Sequence, residues 1–324
     1  MNLPPPAAAL DIGSNSVHLL VADRGPDGVP VPLLDVSHQA PIGRTVDATG
    51  ALGAELLDEL VSVVSGYVAQ ARDLGAETIV LLGTEALRNA ADAPGLKVEL
   101  WSRTGLPITV VDRTSEGLLT LLGVSGGRIP ASLAVVDIGG GSTEVTVAHA
   151  DGPPVVGIVP VGSARLAAAH IHHDPVTDEE VEALRRVAQA HVAGLDVPRV
   201  ERAIVAGGSG TNVSRLLGRE RTTPIDLAAI AEASRLLRSH PAEPLALRTG
   251  LTVRRVAQLA AGLAIGEALL ERLGLERAEV SDASLREGAL IAIWVAGDDW
   301  LGELPTLVAG RPGGAAPTGQ DRAS

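Results

Sequence analysis

Two stretches of the chain repeat one pattern of apolar and polar positions. "LDIGSNSVHLLVAD" (residues 10–23) and "VDIGGGSTEVTVAH" (136–149) each run from an apolar segment through Asp-Ile-Gly, two small residues and a serine into a second apolar segment, 126 positions apart. Short apolar runs on either side of small turn residues predict strand, tight turn, strand in both places. The remaining pattern fills in an α/β order. Residues 29–42 read as strand, 53–74 as a helix stopped by Gly75, 78–88 as a buried strand running into a loop, and 85–103 as mostly helix. A strand at 107–112 leads to a helix over 115–124 with Ser115 as its N-cap. After the second hairpin come a strand (153–162) and a helix (177–195) opened by the capping box of Thr177 and Glu180. A strand, glycine-rich turn and helix (202–217) follow, then helices at 226–239 and 252–273 and a strand, turn and helix over 278–297.

The pattern predicts a duplicated α/β unit: one domain over 1–124, a second over 125–304 beginning in the loop "SGGRIPAS", and a disordered Gly/Pro/Ala tail over 305–324. The helix at 283–297 is expected to pack back on the first domain. Composition narrows the core. The 324 residues are 46% hydrophobic but 1% aromatic, with no Phe and no Cys, so Ala, Val, Leu and Ile must fill it. Without cysteine there is no disulfide or thiolate chemistry, which suits a cytoplasmic protein. The net charge of −13 argues against a nucleic-acid binder. "NLPPPAAA" lacks the basic start of a signal peptide, and the most apolar helix (256–273) is interrupted by Glu267, so no membrane partner is expected.

The two turns are the first candidate chemistry. Glycine lets the backbone approach a ligand, and successive N–H groups in such a turn make an anion nest. Gly13, Ser14, Asn15 and Ser16 in the first copy, and Gly139, Gly140, Gly141, Ser142 and Thr143 in the second, are read as phosphate-binding. Ordinary hairpins also favour Gly, Asn and Asp, but two copies in register after apolar strands tip the reading to phosphate. Asp11 and Asp137 repel phosphate unless a divalent cation lies between, and Glu144 can join Asp137 across the tight turn; His18 stands in its place in the first copy. Gly207, Gly208 and Ser209 sit between a strand and a helix, where phosphate contact and close packing are both plausible uses. Glu116, in the first turn of its helix, suits either a general base or dipole capping. Arg88 lies past a strand end, where a cleft residue or a solvated arginine would stand. "GVSGG" (123–127) leaves a helix and enters a strand, the reverse of a nucleophile elbow. "HIHHD" (170–174) reads as a solvated helix end.

With "LDIGSNSVHLL", "GTEALRNA", "SEGLL", "VDIGGGSTEV", "VAGGSGT" and "SDASLREGAL" in this order, the chain resembles the short, two-domain exopolyphosphatase / guanosine pentaphosphate phosphohydrolase family over about residues 8–297. That family belongs to the superfold of actin, sugar kinases and heat-shock ATPases. The resemblance implies an α/β fold of two actin-like (ribonuclease H-like) domains with a ligand cleft between them. It implies hydrolysis of a terminal phosphoanhydride of polyphosphate or guanosine pentaphosphate. Glu116 matches the catalytic base, Arg88 the phosphate-contacting arginine, and Asp137 and Glu144 the metal-associated acids, with Mg²⁺ or Mn²⁺ as cofactor. ADP or ATP is a further ligand class, and a homodimer is implied. One departure bears on activity. Where the family usually carries something like Gly-Glu-Glu-Glu-(small)-Arg-Leu, this chain has Arg113-Thr114-Ser115-Glu116-Gly117-Leu118-Leu119. The base is kept, but its flanking acids and the arginine that follows are absent, so a guanosine polyphosphate or ATP sensor of low turnover, or a kinase of the same superfold, stays open beside the hydrolase.

Overall fold

The computed structural model describes residues 4–309. The chain divides into two compact units, Met1–Ile129 with Leu285–Ser324, and Pro130–Ser284.

The first unit opens with β1 (Ala7–Ile12), β2 (Ser16–Arg24) and β3 (Pro30–Gln39), followed by α1 (Ile42–Thr49) and α2 (Ala54–Asp73). Then come β4 (Thr78–Gly83), α3 (Glu85–Asn89), α4 (Ala93–Thr104), β5 (Ile108–Val110) and α5 (Arg113–Val124). Its sheet runs β3-β2-β1-β4-β5, antiparallel through β3, β2 and β1 and parallel from β1 to β5. The second unit repeats the plan with β6 (Ser132–Ile138), β7 (Thr143–His149), β8 (Val155–Val159), α6 (Ser163–His170) and α7 (Asp178–Val192). It continues through β9 (Ala203–Ala206), α8 (Gly207–Leu216), β10 (Ile225–Asp226), α9 (Leu227–Ser239), α10 (Ala242–Thr249), α11 (Val253–Leu273) and β11 (Arg277–Ser281). Its sheet, β8-β7-β6-β9-β11 with β10 added at the edge, has the same order and the same change from antiparallel to parallel. Both units are therefore actin-like, ribonuclease H-like α/β folds. The chain then returns to the first unit with α12 (Leu285–Ala296) and α13 (Trp300–Val308).

Each sheet carries its own apolar core of Ala, Val, Leu and Ile. The largest fully buried side chains, such as Leu10, Ile12, Leu19 and Leu119, are all aliphatic; each contributes roughly 1.5–3 kcal/mol by leaving water. Along the central strand β1, Ala7 to Leu10 are all buried instead of alternating, as expected where both faces of a sheet are covered.

Four sequence expectations are corrected. The N-cap of α5 is Asp112, whose carboxylate accepts the Ser115 N–H, so Ser115 is the third helical residue and not the cap. The boundary after the first unit falls at Ile129 rather than at residue 124. The glycine-rich segment 207–210 is not a turn before a helix but the first turn of α8. The expected tail begins too early: residues 305–308 belong to α13, where Trp300, Leu304 and Val308 are buried. Residues 310–324 of that expected tail lie outside the described residues.

Candidate active site

The sequence repeat is a structural repeat to the level of single hydrogen bonds. In the first hairpin Gly13 N–H donates to the Ser16 carbonyl (3.0 Å); in the second, Gly139 N–H donates to the Ser142 carbonyl (2.9 Å). Register places Asp11 opposite His18 and Asp137 opposite Glu144. Residues directly opposite in an antiparallel pair project from one face, so each turn holds its paired groups side by side. A serine then joins the second member: Ser16 Oγ lies 2.7 Å from His18 Nε2, and Ser142 Oγ donates to Glu144 Oε1 at 2.7 Å.

The third strand of each repeat returns a helix to the turn. In the first copy Gly43 N–H, at the start of α1, donates to the Ser14 carbonyl at 2.8 Å. In the second the start of α6 does more: Ser163 N–H binds the Gly139 carbonyl, and the N–H groups of Ala164 and Arg165 bind that of Gly140, at 2.9–3.0 Å. Arg165 Nη1 also donates to the Gly141 carbonyl at 2.7 Å. A Cβ at Gly162 would stand 2.5 Å from the Gly140 carbonyl carbon, so only glycine allows this approach. With the carbonyls of 139–141 drawn toward α6, the loop keeps the backbone polarity that an anion nest requires.

Hydroxyl groups in these segments have partners within the chain. Thr143 is fully buried and its Oγ1 donates to the Val161 carbonyl (2.8 Å). Ser142 Oγ is spent on Glu144, and Ser14 Oγ donates to Glu85 Oε2 at 3.2 Å. Ser209 Oγ donates to the Ile138 carbonyl (2.6 Å), which ties the start of α8 to the residue before Gly139. Gly207, the first residue of α8, adopts a positive φ of 63°, and a Cβ at Gly210 would meet Val280 at 2.8 Å, so close packing explains part of this glycine run. Gly208 has a different neighbour: Arg255 Nη1 lies 3.2 Å from where its Cβ would be.

In the first unit the structure joins Arg88 and Glu116. Arg88, in α3, donates through Nη1 to Glu116 Oε2 (2.8 Å) and to the Val111 carbonyl (2.7 Å). Both side chains are largely buried, at 17% and 12% exposure. Burial pushes the Glu116 carboxyl above the usual glutamate range; the charge and hydrogen bond of Arg88 pull it down, Glu85 pushes it up and Arg113 pulls it down, with the net shift upward. Glu85 was not singled out from the sequence. It is buried, one turn before Arg88, with Ser14 Oγ on one oxygen and Asn89 Nδ2 on the other at 3.2 Å each. Its only sequence signal is its place in "GTEALRNA", three residues from Arg88.

Among the described residues no group of three or more His, Cys, Asp or Glu side chains forms a ready metal cage. The acids named for a metal nonetheless suit Mg²⁺ or Mn²⁺ by donor type. Asp11, Asp137 and Glu144 offer only oxygen, and Mg²⁺ is usually held by one or two carboxylates with water and substrate phosphates completing the shell. The facing Asp137–Glu144 pair is such a partial set.

The histidine-rich loop is organised differently. Glu180, buried in the capping box of α7, accepts the N–H groups of His172 (2.7 Å), His173 (3.1 Å) and Thr177 (3.0 Å), and the His173 ring (2.9 Å). Burial pushes its carboxyl up, but these donors outweigh burial and lower it to about 2. A depressed carboxylate stabilises the fold above its unfolded value of 4.5 and loses that contribution as pH falls toward 2. Glu180→Gln is expected to cost roughly 1–3 kcal/mol at pH 7 and little at pH 2. Urea unfolding at several pH values checks this; an equal loss at all of them would contradict it.

A family model described as the Ppx/GppA phosphatase family matches residues 23–294. The chain is 28% identical over 304 residues to Exopolyphosphatase 1 of Mycobacterium leprae, covering 87% of each chain. It is 26% identical over 294 residues to the guanosine-5'-triphosphate,3'-diphosphate pyrophosphatase of Vibrio cholerae, covering 88% of this chain and 58% of that one. A crystal structure of the Aquifex aeolicus Ppx/GppA family member superposes with a TM-score of 0.77 at 26% identity, covering 89% of this chain and 97% of that chain.

Proposed function

Because the chain belongs to the Ppx/GppA phosphatase family, we propose that it hydrolyses the terminal phosphoanhydride of inorganic polyphosphate, with guanosine pentaphosphate as the second candidate substrate. The observation that carries this reading is the buried Arg88–Glu116 pair, in which Arg88 Nη2 is also buried and has no hydrogen-bond partner. A buried guanidinium N–H without an acceptor costs stability. An anion that fills it turns that cost into binding.

In the mechanism, Arg88 keeps Glu116 oriented through Oε2, leaving Oε1 to take a proton from water. As the water oxygen bonds to the terminal phosphorus, its proton passes to Glu116, the bridging P–O bond breaks, and the shortened phosphate leaves with the electron pair. The raised Glu116 carboxyl suits a base that works near neutral pH. In the first unit, Arg88 Nη2 and the backbone of the Gly13 turn neutralise charge on the phosphoryl oxygens. Within the second unit, a Mg²⁺ or Mn²⁺ would be held by the facing pair Asp137 and Glu144 and would supply further charge neutralisation. In the second unit, Gly207 and Gly208 are read as phosphate-binding backbone beside the Gly139 turn, with Ser209 as their support. The same reading carries a cytoplasmic homodimer. The family match favours neither the kinase nor the sensor; among the described residues no helix is long and apolar enough to cross a membrane.

The test is orthophosphate release with Mg²⁺ from polyphosphate and from guanosine pentaphosphate, side by side. Release from the first sets polyphosphate as substrate. Release from the second alone moves the assignment to the nucleotide. Tight nucleotide binding with no release from either would sink the hydrolase reading.

A further inference from the structure

Arg113 is the residue where the sequence departs most sharply from the family pattern, because it brings a cation to the segment where that pattern is acidic. It is the first residue of α5, and Glu116 follows three positions later. That spacing puts the two side chains on one helix face. Asp112, its neighbour, is committed to the Ser115 N–H. The Arg113 Nε is buried and makes no hydrogen bond, the same condition as Nη2 of Arg88, the partner of Glu116. Two guanidinium N–H groups, one on each arginine that bears on this carboxylate, thus stand buried and unsatisfied.

A structural role explains this poorly. Leaving a buried donor unmade costs about 1–3 kcal/mol, and Arg113 takes part in no ion pair among the described residues. Arginine is the side chain best matched to phosphate oxygens, and charged hydrogen bonds of this type are about twice as strong as neutral ones. From the one unsatisfied N–H on each of the two arginines that bear on Glu116 we propose that Arg113 is a specificity-determining residue that binds a phosphate of the substrate next to the one removed, while Arg88 takes the transferred phosphoryl group. The ligand class is a linear oligophosphate of at least two phosphates, whether free or carried on a nucleoside. This rests on the hydrolase reading above. The charged groups that bear on Glu116 are Arg88, Arg113 and Glu85, and Glu85 is tied to Ser14 and Asn89.

Arg113→Gln keeps a polar side chain at a half-exposed position and is not expected to unfold the protein. Its KM for tripolyphosphate should rise about tenfold or more with kcat within about threefold, from the loss of one charge-assisted hydrogen bond. Arg113→Lys, which restores charge without the planar fork, should recover part of the difference. The same loss should appear without turnover, as about tenfold weaker tripolyphosphate binding by calorimetry when Arg113→Gln is placed in a Glu116→Gln protein. Unchanged KM and unchanged affinity in Arg113→Gln, with the wild type active, would overturn this proposal and leave the hydrolase reading standing. A wild type that neither binds nor cleaves tripolyphosphate, guanosine pentaphosphate or polyphosphate overturns both.

Discussion

Glu116→Gln is expected to lower phosphate release by about 10²–10⁴-fold, the range that a positioned general base contributes. Glutamine has the shape of glutamate and keeps an oxygen that can accept from Arg88 Nη1, now at 2.8 Å. The fold should therefore survive, although Arg88 loses the charge that compensates its burial. Substrate affinity should hold or improve, because one negative charge has left the vicinity of a polyanion. The pH profile adds a second signature. Since burial raises the Glu116 carboxyl despite Arg88, the acidic limb of the wild-type kcat/KM profile should lie above the usual glutamate range. In the variant that limb should vanish from the residual rate. A variant within about threefold of the wild-type rate, with the limb in place, would remove Glu116 from the role of base.

The parts of this site that were readable in the sequence share one property: their cause is local. Strand, tight turn and strand follow from short apolar runs on either side of Gly13 and Gly139, and the duplication lets each copy check the other. The capping box of Thr177 and Glu180 needs only four residues to form. What was unreadable depends on partners far along the chain. Glu85 reads as an ordinary first-turn acid until Ser14, 71 residues away, comes to hydrogen-bond it. Thr143 reads as a phosphate ligand by type, but strand pairing turns its hydroxyl to Val161, 18 residues on. The approach of Gly162 to Gly140 has no local sequence mark either. Composition misled at α13: Pro305 and the glycines beyond it suggested a tail, while burial of Trp300 and Leu304 made a helix. The resemblance located Glu116 and Arg88, but their mutual hydrogen bond required α3 and α5 to be folded together.

The helix that carries Glu116 is held in place from behind, and this makes Gly288→Ala the second large effect. In the first unit α12 packs along α5. Arg286, buried in the same helix, donates to Asp35 Oδ1 of β3 at 2.6 Å and fixes its position against the sheet. At Gly288 the contact has no spare room: a Cβ would lie 1.9 Å from the Leu119 carbonyl oxygen, 2.7 Å from its carbon and 3.1 Å from Gly123 N. All three atoms are α5 backbone, which cannot rotate aside as a side chain can. Alanine is the better helix former by about 1 kcal/mol, so propensity alone predicts stabilisation. Overpacking opposes it at about 1–3 kcal/mol, and at 1.9 Å the upper end or beyond applies. The net expectation is a loss of about 2 kcal/mol and a displaced α5. A shift of about 1 Å in a catalytic group can cost 10²-fold in rate, so activity should fall together with stability. Gly66→Ala supplies the control, since Gly66 is an exposed interior position of α2 with nothing within 4 Å of its Cβ. There the propensity term stands alone and should stabilise by about 0.5–1 kcal/mol without affecting the rate. Thermal unfolding and phosphate release measured on both variants decide the matter. If Gly288→Ala is as stable and as active as Gly66→Ala, the α5–α12 contact does not position Glu116.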